Sequence, residues 1–475
     1  MEYVLGVIVG FLAVLVIRAL CFKPKAQRPV DESPVEFEKD AAVTALQKLV
    51  QCKTISYNDA SLEDDGEFQK LIDLLPGLYP KVFEVCSLQK LPGRALLFHW
   101  KGKSAEKPAV LMAHYDVVPV LEEMWDKPPF AGIIEDSVLW GRGTLDTKVT
   151  MNGALFAANT LLSQGFTPEN DIYFAFSGGE EVNGPGAKNI VDWFVENNIA
   201  PAIVVDEGGA VVENVFPGVK VPSGMVGIAE KGMMNVRYTV HSGGGHASAP
   251  LPKTPITSLA TACRKVVDNP FKMHINKPAA LMFDTLARHS TFVYKLIFSN
   301  LWCFKPVLDM ICKKSGGEMN ALVRTTTAFT QAKGSSARNV IPAEASLVSN
   351  MRLNPVDSVA GAEAYLKKVV NDRSVEIEVL ESFEPSPVSE TDCDAYYRVA
   401  DAVAETWRGC VVTPYLMVQC SDSRHYRDLS KNVYRFSAMD LTAEERRTIH
   451  GNNERIRLET IGKAVEFYIR LIKKC

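Results

Sequence analysis

Three short apolar runs in this chain each stop at groups that apolar surroundings penalise. Val110-Leu111-Met112-Ala113 leads into His114-Tyr115-Asp116, Ile172 to Phe176 passes through Ser177-Gly178-Gly179 into Glu180-Glu181, and Ala202 to Val205 delivers Asp206-Glu207-Gly208-Gly209. Runs of this length suit buried strands, and ligands of open α/β sheets bind at the strands' carboxyl ends. Alternate residues of an extended strand share a face, so His114 and Asp116 point into one crevice. Adjacent carboxylates directly after a buried strand are costly unless something positive holds them. Each run alone has an ordinary explanation, a hydrogen-bonded structural pair or a solvated loop. Three together make coincidence far less plausible, and a bound metal accounts for all of them.

The segments between these runs have helical spacing. Ala42 to Val50, Phe68 to Leu75 and Met151 to Leu162 read as amphipathic or buried helices, a βαβ rhythm that predicts a mostly parallel sheet flanked by helices. The rhythm changes after about residue 225. Gly232 to His241, Thr326 to Ala332 and Ala345 to Arg352 alternate as strands, while Ile256 to Val267 and Ala360 to Val370 read as helices, the pattern of a smaller inserted α+β unit. A chain of 475 residues has room for two or three domains. The expected division is an anchor at 1–22, a stalk at 23–39, a catalytic domain in two parts at 40–227 and 384–475, and an inserted lid and dimerisation domain at 228–383. Ala279 to Lys313, rich in Leu, Phe and Trp, suits either an acyl-binding wall or the lid's own core.

A net charge of −4 with no long basic run argues against nucleic acid as the partner, leaving a small molecule or peptide. The ten cysteines form no CxxC pair, so neither a zinc ribbon nor a dense disulfide framework is signalled. Tyr3 to Phe22 is apolar except for Arg18, long enough to span a membrane, and Lys23, Lys25 and Arg28 follow it. A single-pass N-terminal anchor is expected. A cleaved signal peptide fits less well, because the N-terminus lacks a basic region and a small-x-small cleavage site. The basic flank is short, so the side of the membrane stays open.

Two further motifs carry acids and imidazole. Gly141-Arg142-Gly143-Thr144-Leu145-Asp146-Thr147-Lys148 is a Gly-flanked loop before a helix, where Asp146 either caps the helix or bridges two cations. Ile449-His450-Gly451-Asn452-Asn453-Glu454 precedes an amphipathic terminal helix, and His450 is one of only eight histidines. In this order, His114-x-Asp116, GRGTLDTK, Glu180-Glu181, the DEGG segment and IHGNNE resemble the motifs of the carboxypeptidase S and aminoacylase family of co-catalytic zinc peptidases. The resemblance covers about residues 40 to 475.

That resemblance implies a phosphorylase/hydrolase-like catalytic domain with an inserted lid, and two zinc ions per subunit. His114, Asp146 and Asp206 would hold one ion; Asp146, Glu181 and His450 would hold the other. Asp116 would orient His114 and Glu180 would be the general base. Some relatives use the position of Glu207, so Asp206 is the preferred of two neighbours. Paired divalent ions acidify a shared water and polarise a carbonyl, while an uncoordinated carboxylate receives the proton. The segment His241 to Pro250 resembles one that supplies an oxyanion donor, His246, often to the partner subunit's site. Asn339 and Arg352 match segments that grip a substrate carboxylate, and Arg424 is the second candidate for that task. Thr147 and the Gly178-Gly179 pair depart from acidic residues common in relatives.

The expected activity is hydrolysis of an amide bond beside a free C-terminal carboxylate, with a peptide as the first-choice substrate and an N-fatty-acyl amino acid, hydrolysed or synthesised, as the second. A membrane-anchored binding protein that lost catalysis is disfavoured, because all five ligand positions and Glu180 are present.

Overall fold

The computed structural model describes residues 2–216 and 218–475. Helix α1 (Glu2–Cys21) is followed by an extended segment and by α2 (Lys39–Val50). The first sheet strands are β1 (Ser87–Leu91), β2 (Ala95–Trp100), β3 (Ser104–His114), β4 (Asn170–Ser177), β5 (Ile203–Val212) and β6 (Ser223–Glu230), with α3 (Lys148–Ser163) between β3 and β4. The chain then forms β7 (Gly232–His241), α4 (Pro255–Asp268), α5 (Lys277–Ala287), α6 (Phe292–Phe298), α7 (Leu301–Ser315), α8 (Gly317–Val323), β8 (Thr326–Lys333), β9 (Glu344–Leu353), α9 (Val359–Val370) and β10 (Glu376–Phe383). It returns through β11 (Val411–Met417) and β12 (Val433–Leu441) to the terminal helix α10 (Leu458–Lys474).

Eight strands make one sheet in the order β1-β2-β4-β3-β5-β12-β6-β11. The pairs β3–β4, β3–β5, β5–β12 and β6–β11 are parallel, whereas β1 and β2 join the edge as an antiparallel ribbon. Helices cover both faces. The continuous Val, Ile, Leu and Phe content of β3 and β4 follows from that double coverage, because a strand buried on both sides has no polar face to alternate with. Helix α3 is buried along most of its length between the sheet and α10.

A second sheet, β8-β9-β7-β10, is wholly antiparallel and carries α4 and α9 on one face. Met234, Val236, Tyr238, Leu259, Met351 and Leu366 form its separate core. The alternation in Gly232 to His241 that predicts a strand is therefore the signature of one covered and one open face.

Two expectations are altered. The helices of 277–323 do not fill the core of the antiparallel sheet; Ala279, Met282, Phe283, Leu286, Phe298 and Leu308 belong to the core of the large sheet, where α5 packs on β11. Nor does 23–38 stand off as a spacer. Arg28 pairs with Asp401, while Arg470 donates to the carbonyls of Asp31 and Ser33, laying this segment along the body. All ten cysteines are free thiols.

Candidate active site

The acids and imidazoles gather at the carboxyl ends of β3 and β4. His114 is the last residue of β3 and is 2% exposed. Its Nε2 lies 3.0 Å from Asp146 Oδ1 and 3.3 Å from Glu207 Oε1. His450 Nε2 lies 3.0 Å from the other oxygen of Asp146 and 3.0 Å from Glu181 Oε2. One carboxylate thus stands between two imidazoles, with a second acid beside each ring.

Buried hydrogen bonds fix these groups. The carboxylate of Asp116, fully buried, accepts from the backbone N–H of Glu180 at 3.1 Å and of Glu181 at 3.2 Å, tying the end of β3 to the turn after β4. His114 Nδ1 is 3.0 Å from the Asp116 carbonyl and 3.4 Å from Asp116 Oδ1, leaving Nε2 toward the acids. The first of the two glycines before Glu180 has a steric reason. A side chain at Gly178 would meet the Tyr115 ring at 2.7 Å, so the turn closes only without one.

Sequence reasoning missed Arg142 and Glu454, which hold the Asp146 loop. Glu454 accepts from the N–H groups of Gly143 and Leu145 at 3.1 and 2.7 Å and pairs with Arg142 at 2.6 Å, with both side chains almost wholly buried. Arg142 also donates to the carbonyl beside His450, that of Gly451. Both lie inside motifs quoted for other residues, and their opposite charges were the available signal.

The preference for Asp206 over Glu207 meets a different geometry. Strand β5 does not end there but runs on to Val212, and its register with β12 slips between Asp206 and Gly209. The bulge is built on glycines: Gly208 has φ +145°, and a side chain at Gly209 would overlap the Met225 carbonyl. At this bulge Glu207 turns to His114, at 3.3 Å, while Asp206 accepts from Ser423 N at 2.8 Å. Buried Ser421 and Ser423 are themselves braced by Glu230, which is paired with Arg435 inside the sheet. Asp206 anchors that loop.

The electrostatics are those of crowded acids. Burial pushes Glu207 up to about 8, and it pushes Glu180 well above the usual carboxylate range, reinforced by Asp422 and Glu207 and opposed by His114. Burial also raises Glu181, beside the charge of Asp146. Asp146 goes the other way despite its burial, because two imidazoles hydrogen-bond its ionised form. His450 rises to about 11 through its bonds to Asp146 and Glu181. Among the described residues, Glu181 Oε1 is buried without a hydrogen-bond partner. An orphaned carboxylate oxygen inside an acid-rich cluster is the donor set that divalent cations complete.

The cluster opens on a cavity of about 440 Å³. Asp146, Glu180, Glu181, Glu207 and His450 form one wall, and Met225, Met282, Met319, Leu322, Met417 and Met439 are among the apolar residues of the remainder.

Residues 110–474 match peptidase family M20/M25/M40. The chain belongs to this family. Its M20 relatives include a probable carboxypeptidase S-like protein of Dictyostelium discoideum, 34% identical over 98% of this chain and 92% of the relative. An N-fatty-acyl-amino acid synthase/hydrolase of Xenopus tropicalis is 35% identical over 99% and 94% respectively. Among solved structures, an M20 metallo-carboxypeptidase of Sulfolobus solfataricus shares the fold with a TM-score of 0.67, at 19% identity over 91% of this chain and 98% of that one.

The remaining expected residues of this M20 chain lie apart from the cluster. Gly245–His246 pairs with Val340–Ile341 in a short exposed ribbon, where His246 Nδ1 is 2.7 Å from Ser248 Oγ and the Asn339 carbonyl accepts from Ala247 N. Arg352 lies closer: its Nη1 is 2.8 Å from the sulfur of Cys420, a cavity residue. Arg424 lies over the Phe383 ring at 5.2 Å and bonds Asn183 and the Ser421 carbonyl. The structure therefore brings together His114, Asp116, Asp146, Glu180, Glu181 and His450, and leaves His246 and Asn339 on the antiparallel sheet's side.

Proposed function

We propose that this M20 enzyme is a dizinc hydrolase of N-acyl amino acids whose acyl group is long and apolar. The observation that carries this reading is the cavity, which begins at the acidic cluster and continues between methionines, a lining that adapts to a flexible chain. His114, Asp146 and Glu207 would hold one zinc, and Asp146, Glu181 and His450 the other. Asp206 is a supporting residue in this assignment. Two such cations would neutralise the crowded carboxylates, polarise the scissile carbonyl and lower the pKa of the attacking water.

The chain's own groups do the rest. Glu180 takes a proton from water as its oxygen bonds to the amide carbon, then gives that proton to the nitrogen as the C–N bond breaks, releasing a carboxylic acid and an amino acid. Asp116 keeps the Glu180-Glu181 turn and His114 in place for this transfer. Arg352, beside the cavity, grips the amino acid's carboxylate, with Arg424 and Asn339 as further anchors. His246 donates to the developing oxyanion once the antiparallel domain closes over the site or pairs with a second copy of the chain. Edge strand β8 and the exposed Ile256 and Val267 of α4 support a homodimer through that domain.

We also assign α1 as a single-pass membrane anchor, supported by its length and by side chains that remain exposed along most of it. The test of function is a screen of the zinc-loaded full chain against N-hexadecanoyl amino acids, N-acetyl amino acids and dipeptides. Preference for the long acyl chain is expected; efficient turnover of dipeptides alone would return the peptide reading to first place.

A further inference from the structure

Helices α6 and α7 leave an apolar surface that neither core covers. Phe292, Val293, Trp302, Val307, Met310 and Ile311 are each 46–63% exposed. Lys305, Lys313 and Lys314 lie among them, the composition of helices that settle at a membrane interface. Isolated exposed apolar residues need no explanation, but six on two consecutive helices do.

This surface is joined to α1. Trp302 meets Phe11 edge to face with ring centroids 5.9 Å apart, Asn300 Nδ2 donates to the Leu15 carbonyl at 3.1 Å, and Arg18 donates to the Ser299 carbonyl at 2.9 Å. At the base of α1, Lys25 pairs with Asp284 and Arg288 donates to the Lys23 carbonyl. Arg18, the one basic residue of α1, is therefore satisfied by the end of α6, as a cation at a bilayer requires. Phe11 precedes Cys21, the last residue of α1, by ten positions. At about 1.5 Å per residue that is about 15 Å, half of a hydrocarbon core about 30 Å thick. Whatever surrounds that half of α1 surrounds Trp302 as well.

The neighbours of these helices in the chain reach the active-site cavity. Its wall includes Met282 of α5 and Met319 and Leu322 of α8, the helices that flank α6 and α7 in the chain. We propose that α6 and α7 are embedded beside α1 in one leaflet, so that the enzyme draws its acyl substrate from the bilayer rather than from water. This rests on the anchor and acyl-chain readings above.

The test uses the full chain in phosphatidylcholine vesicles, with three measurements that fail separately. Carbonate-resistant association reports α1; release by carbonate would overturn both the anchor and this proposal. Lipids with brominated chains should quench a component of tryptophan emission that is missing in Trp302→Phe. Retention in the membrane without such a component would overturn the embedding alone, as would a dimer that buries Trp302 against its copy. Ile311→Asp should raise KM for N-hexadecanoyl-alanine held in the vesicles by on the order of tenfold, the scale of a lost interfacial contact, while leaving N-acetyl-alanine hydrolysis unchanged. Equal effects on both substrates would overturn delivery from the bilayer. Absence of hexadecanoyl hydrolysis in the unmodified enzyme would defeat the acyl reading and, with it, this delivery.

Discussion

His114 and His246 are both assigned to the reaction centre, and the molecule treats them in opposite ways. His114 is enclosed at the end of β3, its ring set by the Asp116 carbonyl on one side and by Asp146 and Glu207 on the other. His246 sits exposed on a two-residue ribbon with Ser248 as its one side-chain hydrogen-bond partner among the described residues. The first is arranged before substrate arrives, because a metal site must be built from groups that cannot relax away from one another. In its proposed role the second has to travel, and a group that travels cannot be locked into a core. Loss of a fixed metal ligand should therefore change what the site binds, whereas loss of the mobile histidine should change only how fast it reacts.

The largest effect should come from a fixed group that binds no metal. Glu180→Gln is expected to lower turnover by about 10² to 10⁴, the range for a lost general base, with zinc content unchanged. Glu181→Gln should lower zinc content as well, so equal metal loss in the two variants would erase the distinction between base and ligand.

Next is His246→Ala, expected to reduce kcat by on the order of 10² to 10³ with bound zinc unaffected. If the histidine crosses a two-fold interface, mixing His246→Ala with Glu180→Gln protein under subunit exchange restores activity, since one heterodimer site contains both groups. Verified exchange without recovery would place His246 within its own chain or outside the reaction.

A smaller effect should follow from the support beneath the ligands. Glu454→Gln leaves Arg142 buried without its partner and is expected to cost about 3 to 5 kcal/mol of stability, the cost of breaking a buried ion pair. Because Glu454 also orders the Asp146 loop, zinc affinity should fall by roughly 10- to 100-fold. Denaturant unfolding and zinc titration of the same sample check the two parts. Loss of affinity without loss of stability would make Glu454 a ligand rather than a brace.

How far the site was legible in the sequence follows from the same contrast. His114, Asp146, Glu181 and His450 are readable because buried strands and Gly-flanked loops have few other reasons to end in acids and imidazoles. The choice between Asp206 and Glu207 is not, since it depends on a bulge in β5 whose register is set by β12, more than 200 positions later. Arg142 and Glu454 lie in visible motifs, but their pairing joins distant segments. Helices α5 to α8 show the limit for the fold: apolar spacing says that a face is covered, not which sheet covers it, and α6 and α7 have apolar residues that neither sheet covers.

The claim that two cations sit astride Asp146, with Glu207 rather than Asp206 facing His114, is tested most directly by anomalous diffraction at the zinc edge from crystals of the zinc-loaded chain. The account predicts two peaks about 3.5 to 4 Å apart, one bounded by His114, Asp146 and Glu207 and the other by Asp146, Glu181 and His450. A single peak, or a peak bounded by Asp206 with Glu207 turned away, would contradict it.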